Sequence, residues 1–141
     1  MRRLLSGAIA GIATLLAGCS IPTRYHALDQ DGGYQEFAVD DDEFVIEFRG
    51  NEFTDAAIVR DFALYRAAEF ARSGGFDAFE VVGTADAPYT PIQPEAVLAP
   101  PPKPTPGYIL QIRCAKNLTP SDKVYQVSEV ITRLGPKVQK S

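Results

Sequence analysis

Few side chains in this sequence have types and spacings that could do chemistry. There are two thiols, Cys19 and Cys114, one imidazole, His26, three adjacent carboxylates at Asp40, Asp41 and Asp42, and the sequence Tyr65-Arg66 with Glu69. A base or metal role for His26 needs a second ligand or a nucleophile nearby. No other histidine exists, and the stretch around it is rich in turn formers, so the expectation is a solvated or locally packed ring. A calcium loop places oxygens at alternate positions with a glycine and a later glutamate. The three aspartates lack that spacing and read as a turn. Cys114 falls on the more apolar face of an alternating segment, where a thiol behaves as a small hydrophobe. Arg66 and Glu69 stand three apart and can pair along a helix surface. The functional alternative is a shallow binding or accessory site formed by Tyr65, Arg66 and Glu69. No catalytic residue, metal ligand or cofactor is assigned.

The elements that must position these groups follow from periodicity. Residues 34–40 and 43–49 alternate apolar and polar with aromatic and β-branched enrichment, the pattern of half-buried strands joined by the Asp40–42 turn. A long helix is expected over about residues 55–72, with Thr54 as the capping hydroxyl and Gly74-Gly75 as the left-handed exit. It carries a bulky stripe (Ile58, Phe62 and Tyr65, with Val59 and Phe70 near) and a smaller one (Ala57, Leu64, Ala68, Ala71). The alanine stripe suits close approach to a sheet. The bulky stripe would then meet the C-terminal helix or a neighbouring protein. Residues 76–82 and 108–114 read as further strands. Residues 117–123 read as a loop, and residues 124–134 have helical spacing, with Ser121 or Asp122 as cap and Gly135-Pro136 as the stop.

Two stretches stand outside this domain. Residues 20–33 contain Pro22, Asp29, Asp31, Gly32 and Gly33 without periodicity and read as a tether, whose extended reach is about 45–50 Å. Residues 87–107 hold eight of the eleven prolines, including the run Pro100-Pro101-Pro102-Lys103-Pro104. That run favours an extended polyproline conformation. It reads either as a docking strip for an aromatic groove or as a loop between two strands.

The formal charge is −4, from 14 Lys+Arg against 18 Asp+Glu. Loss of Arg2 and Arg3 with an N-terminal leader leaves 12 basic residues and a charge of −6. Such a chain is a poor ligand for polyanions, which argues against nucleic acid.

The start of the chain is positively charged at Arg2 and Arg3, uncharged from Leu4 to Leu16, and small-residued up to a cysteine. The run is too short to span a bilayer. The layout resembles a bacterial lipoprotein signal peptide, with Leu16-Ala17-Gly18-Cys19 as the lipobox. The other readings are an ordinary secretory signal with a chance cysteine, or an uncleaved anchor. The resemblance implies cleavage before Cys19, a diacylglyceryl group on its thiol and a fatty acyl group such as palmitate on its amine. Two or more chains anchor stably where one does not. Ser20 after the cysteine, rather than aspartate, implies sorting to the outer membrane, facing the periplasm. Only Cys114 then remains as a free thiol, so no intramolecular disulfide can form.

Further along, Gly33-Tyr34, Phe48-Arg49-Gly50-Asn51 with Thr54, Leu64-Tyr65-Arg66-Ala67-Ala68-Glu69, and Gly75-Phe76 with Phe79 form a recognisable series. Glu129-Val130 after the late strand extends it. The series resembles a family of small, uncharacterised proteobacterial (mainly alphaproteobacterial) lipoproteins. The resemblance implies a lipid-anchored envelope protein with an α+β domain, and carries no activity.

The expected organisation is a signal over residues 1–18, a lipidated tether over 19–33, an α+β domain over 34–136 with a proline-rich insertion at 87–107, and a tail at 137–141. The domain should have one sheet of about four strands, one long helix packed on it and a shorter C-terminal helix. The expected function is non-catalytic: contacts with an envelope protein partner, made from a membrane anchor. The oligomeric state is left open.

Overall fold

A computed structural model describes residues 21–91 and 102–139. The lipobox residues Leu16, Ala17, Gly18 and Cys19 lie outside the described residues, as do Pro94, Pro100 and Pro101. The chain forms an α+β domain in the order β1 (Gly33–Ala38), β2 (Glu43–Arg49), α1 (Ala56–Ser73), β3 (Ala78–Asp86), β4 (Gly107–Arg113), β5 (Val124–Gln126) and α2 (Val127–Val138). The strands make one antiparallel sheet in the order β1-β2-β4-β3-β5. β2 and β3 both run antiparallel to β4, so α1 crosses between two parallel strands that are separated by β4.

The sheet has five strands where about four were expected. Residues 124–126 were expected to open the C-terminal helix. They instead extend the sheet, pairing with Ala78–Glu80 and setting Tyr125 on Phe79 at 5.7 Å between ring centroids. Val124, Tyr125 and Val127 suit a strand as well as a helix, and the free edge of β3 decides between them. The helix starts at Val127, so neither Ser121 nor Asp122 caps it. Ser121 Oγ accepts from the Lys123 amide within the preceding loop. The helix also runs through Pro136 to Val138, beyond the expected stop and into the expected tail. Tertiary contacts hold that last turn: Val138 packs at the core edge and Lys137 Nζ meets Asp61 Oδ2 at 2.5 Å.

Register decides which face is inside. Phe44, Ile46 and Phe48 of β2 face α1, as do Tyr108, Leu110 and Ile112 of β4. Opposite them on β1 stand Ala38, Glu36 and Tyr34, so Phe37 points to the uncovered face and is exposed. That uncovered face is tied by polar pairs: Glu47 with Arg49 at 2.7 Å and with Gln35, Gln111 with Glu43 at 3.0 Å, and Arg113 with Glu80.

The α1 stripes pack differently from the expectation. Bulky Phe62 and Phe70 meet the sheet, with ring centroids 5.1 Å from Phe48 and 4.7 Å from Phe44. Ala57 is exposed. Val59 and Phe62 of the bulky stripe are buried, Ile58, Tyr65 and Phe70 are half-buried against the core, and Tyr65 lies beside Gly135 of α2. Thr54 does not cap α1 either. Asp55 holds the cap position without a side-chain bond, and the Thr54 hydroxyl instead bonds the Thr23 amide and Asn51 Oδ1.

Candidate functional site

The stretch expected to be a tether is part of the domain. Ile21 to Gly33 runs back over the start of α1 and the edge of β1. The Thr23 amide donates to Thr54 Oγ1 at 2.8 Å, and Thr23 Oγ1 accepts from the Asn51 amide at 2.7 Å. Asn51 Nδ2 donates to the Ile21 carbonyl at 2.9 Å, and the Thr54 hydroxyl donates to Asn51 Oδ1 at 2.8 Å. Thr23 and Thr54 are buried. A buried amide or hydroxyl costs about 1–3 kcal/mol when left unpaired, so this closed ring of bonds fixes the segment. A left-handed pair, Gly32 and Gly33, then turns the chain into β1 at φ values of +107° and +118°.

The docked segment delivers Tyr25 to Arg66 and Glu69. The Tyr25 ring stands edge-on to Phe62 at 5.6 Å and to Tyr65 at 5.3 Å, and lies 5.0 Å from Tyr34. Its hydroxyl donates to Glu69 Oε2. Arg66 donates to Glu36 and, at 3.3 Å, to Glu69, and its guanidinium lies 4.2 Å from the centroid of the Tyr34 ring. Burial, then the bond to the Glu69 carboxylate, hold the Tyr25 phenol far above its ordinary range, so it stays protonated. Burial opposes the charge on Arg66, but the bond to Glu36 and its attraction outweigh that, and the guanidinium stays ionised. Burial also raises Tyr65.

Tyr65, Arg66 and Glu69 are therefore brought together, but with Tyr25, Tyr34 and Glu36 closing over them. Glu69 Oε2 is shared by Tyr25 and Arg66, and Glu36 Oε1 takes the other bond from Arg66. Such a cluster positions the N-terminal segment.

The sequence reading missed Tyr25, Glu36 and Thr23 as partners. A signal existed: Ile21, Tyr25 and Leu28 are large apolar side chains in a stretch that reads as a tether. The remaining candidates sit apart. His26 is partly exposed, its Nδ1 2.7 Å from the Ala27 carbonyl and 3.8 Å from Asp29. Asp40 and Asp41 form the exposed hairpin turn, with the Asp41 amide bonding Asp40 Oδ1 at 2.8 Å. Cys114 is buried, and burial raises its thiol to about 11.

A concavity lies at the end of the sheet nearest Asn51. This groove, of about 440 Å³, is lined by Gly32, Arg49, Phe53, Tyr89, Pro91 and Pro102 among others. Arg49 lies 4.8 Å over the Tyr89 ring and is held charged by its bond to Glu47. The Tyr89–Thr105 bridge closes the base of the proline-rich insertion beside it.

Fold and cluster together define a small α+β domain built on a five-stranded antiparallel sheet and locked by its own N-terminal segment. No protein-family model matches the chain, and neither a curated protein nor a solved structure matches it significantly. Among the described residues, no helix is long and apolar enough to cross a membrane, and no three His, Cys, Asp or Glu residues gather as a metal set.

Proposed function

We propose that this protein is a lipid-anchored envelope lipoprotein, held by acyl chains on Cys19 in the outer membrane and facing the periplasm. It acts without catalysis, through contacts with another envelope protein. The observation that carries the reading is the leader: two arginines, an uncharged run and Leu16-Ala17-Gly18-Cys19. The resemblance to small proteobacterial lipoproteins supports it. The pairing of Arg66 with Glu36 and Glu69, and of Glu69 with Tyr25, favours a positioning role for this group over a binding or accessory enzymatic site around Tyr65. Candidate surfaces for a partner are the insertion at residues 87–107 and the exposed hairpin residues Phe37 and Val39.

Intact mass and membrane fractionation beside a Cys19→Ala variant test the reading. The expected result is an acylated chain beginning at Cys19 in the outer-membrane fraction, lost in the variant. A soluble, unacylated protein in both cases overturns it. Crosslinking from the 102–106 segment or from Val39 should recover an envelope protein, and recovery of none removes the partner from the reading.

A further inference from the structure

The docking of residues 21–33 changes what the anchor does. A free tether of that length would hold the domain well away from the lipid. Instead, Ile21 is already fixed, its carbonyl bonded to Asn51 Nδ2 at 2.9 Å, and Thr23 is fixed by bonds to Thr54 and Asn51. Only Ser20 separates Ile21 from Cys19. Two residue steps span about 7 Å at full extension. A domain anchored at Cys19 therefore has no slack to leave the bilayer surface.

The surface brought to the lipid is apolar where it matters. Ile21 is 51% exposed and Phe53 46% exposed, and the two line one shallow depression with Pro22, Arg24 and Asn51. Phe53 is held there by the turn that Asn51 closes, with the Phe53 amide donating to Asn51 Oδ1 at 3.0 Å. Aromatic and aliphatic residues beside a basic one suit the boundary between headgroups and acyl chains. Arg24 is exposed and can meet lipid phosphates, while the neighbouring carboxylates of Asp31 and Glu52 favour a shallow seat over deep insertion.

We infer that the end of the domain bearing Ile21, Pro22 and Phe53 is seated in the surface of the membrane that holds the anchor. The inference rests on acylation of Cys19 as proposed above. It fixes an orientation. The start of α1, the Arg49 end of β2 and the groove between Pro91 and Pro102 lie next to the lipid. The hairpin at residues 39–42 and the turn at Gly75 lie at the far end. The β2 strand alone separates the two ends by about 20 Å.

The chain contains no tryptophan, so single introduced tryptophans report position without background. The acylated full-length protein, carrying Phe53→Trp, Ile21→Trp or Val39→Trp, is reconstituted in vesicles of phosphatidylethanolamine and phosphatidylglycerol with brominated acyl chains. All three sites are exposed, so the fold should tolerate each change. The expected result is fluorescence quenching several-fold greater for Phe53→Trp and Ile21→Trp than for Val39→Trp. Equal quenching at the three sites, in protein whose mass shows the acyl chains and which floats with the vesicles, overturns the seating and leaves the anchor standing. Protein that carries no acyl chains and does not float overturns the anchor, and the seating with it.

Discussion

The Tyr25 hydroxyl donates to the Glu69 carboxylate across 44 residues of sequence, joining the 21–33 segment to the C-terminal half of the long helix. Around this bond Tyr25 touches the rings of Tyr34, Phe62 and Tyr65. Removing the hydroxyl in Tyr25→Phe should cost about 1–2 kcal/mol, because the bond is to a charged acceptor. Tyr25→Ala should cost about 3 kcal/mol or more, since the ring contacts go as well. Urea unfolding of both variants checks the order. Equal, small losses would mean that the segment is not part of the cooperative unit.

The Thr54 hydroxyl serves the N-terminal segment rather than the helix start. Thr54→Val should leave the buried Thr23 amide without its acceptor, and Asn51 Oδ1 with the Phe53 amide alone, at a cost of about 1–3 kcal/mol. Helix content by circular dichroism should not change. Hydrogen exchange should accelerate at Thr23 before it does so at the α1 amides. The reverse order would restore Thr54 as a helix cap.

Gly33 sits at a φ of +118°, and a Cβ there would fall 2.6 Å from the His26 carbonyl oxygen. Gly33→Ala therefore carries both backbone strain and a clash with main chain, which has no flexible end to move. A loss of about 2–4 kcal/mol is expected. Limited proteolysis should then cut within residues 21–32, which resist in the parent.

Arg66 and Arg60 are both ion-paired but should not count equally. Arg66 is three-quarters buried, and its removal strands Glu36 and Glu69 beside aromatic rings. Arg66→Ala should cost about 2–3 kcal/mol, somewhat below the loss for a fully buried pair. The Arg60–Asp86 pair is open to solvent at 2.8 Å, so Arg60→Ala should leave the unfolding midpoint unchanged in moderate salt.

Alkaline pH should weaken the fold in two stages. The Cys114 thiol rises from 9.0 to about 11 in the folded chain, chiefly through burial. The native state then holds the proton that the unfolded chain gives up. Stability is full below about pH 9 and falls by about 1.4 kcal/mol per pH unit until about pH 11. Tyr25, raised by burial, adds a second loss above about pH 10 by the same sign. Cys114→Ala should be less stable at pH 7 and lose less between pH 9 and 10. An unchanged slope would show that the thiol titrates freely.

Local patterning was enough to mark the separate pieces. Alternation at residues 43–49 and 108–113 marked strands, because a half-buried strand needs no distant partner to show its period. The long helix, its glycine exit and the burial of Cys114 were legible for the same reason. The proposed leader rests on sequence alone. Tertiary structure decided what depended on pairing between distant segments. Tyr25 needed Glu69, Thr23 needed Thr54 and Asn51, and Val124 to Gln126 needed the open edge of β3. Nothing within residues 21–33 repeats with a period, since that segment is held by individual polar bonds and one ring cluster rather than by a regular face. The same holds for Arg66 and Glu69. Their spacing placed them on one helix surface, but only packing determined that Glu36, Tyr34 and Tyr25 would close over them.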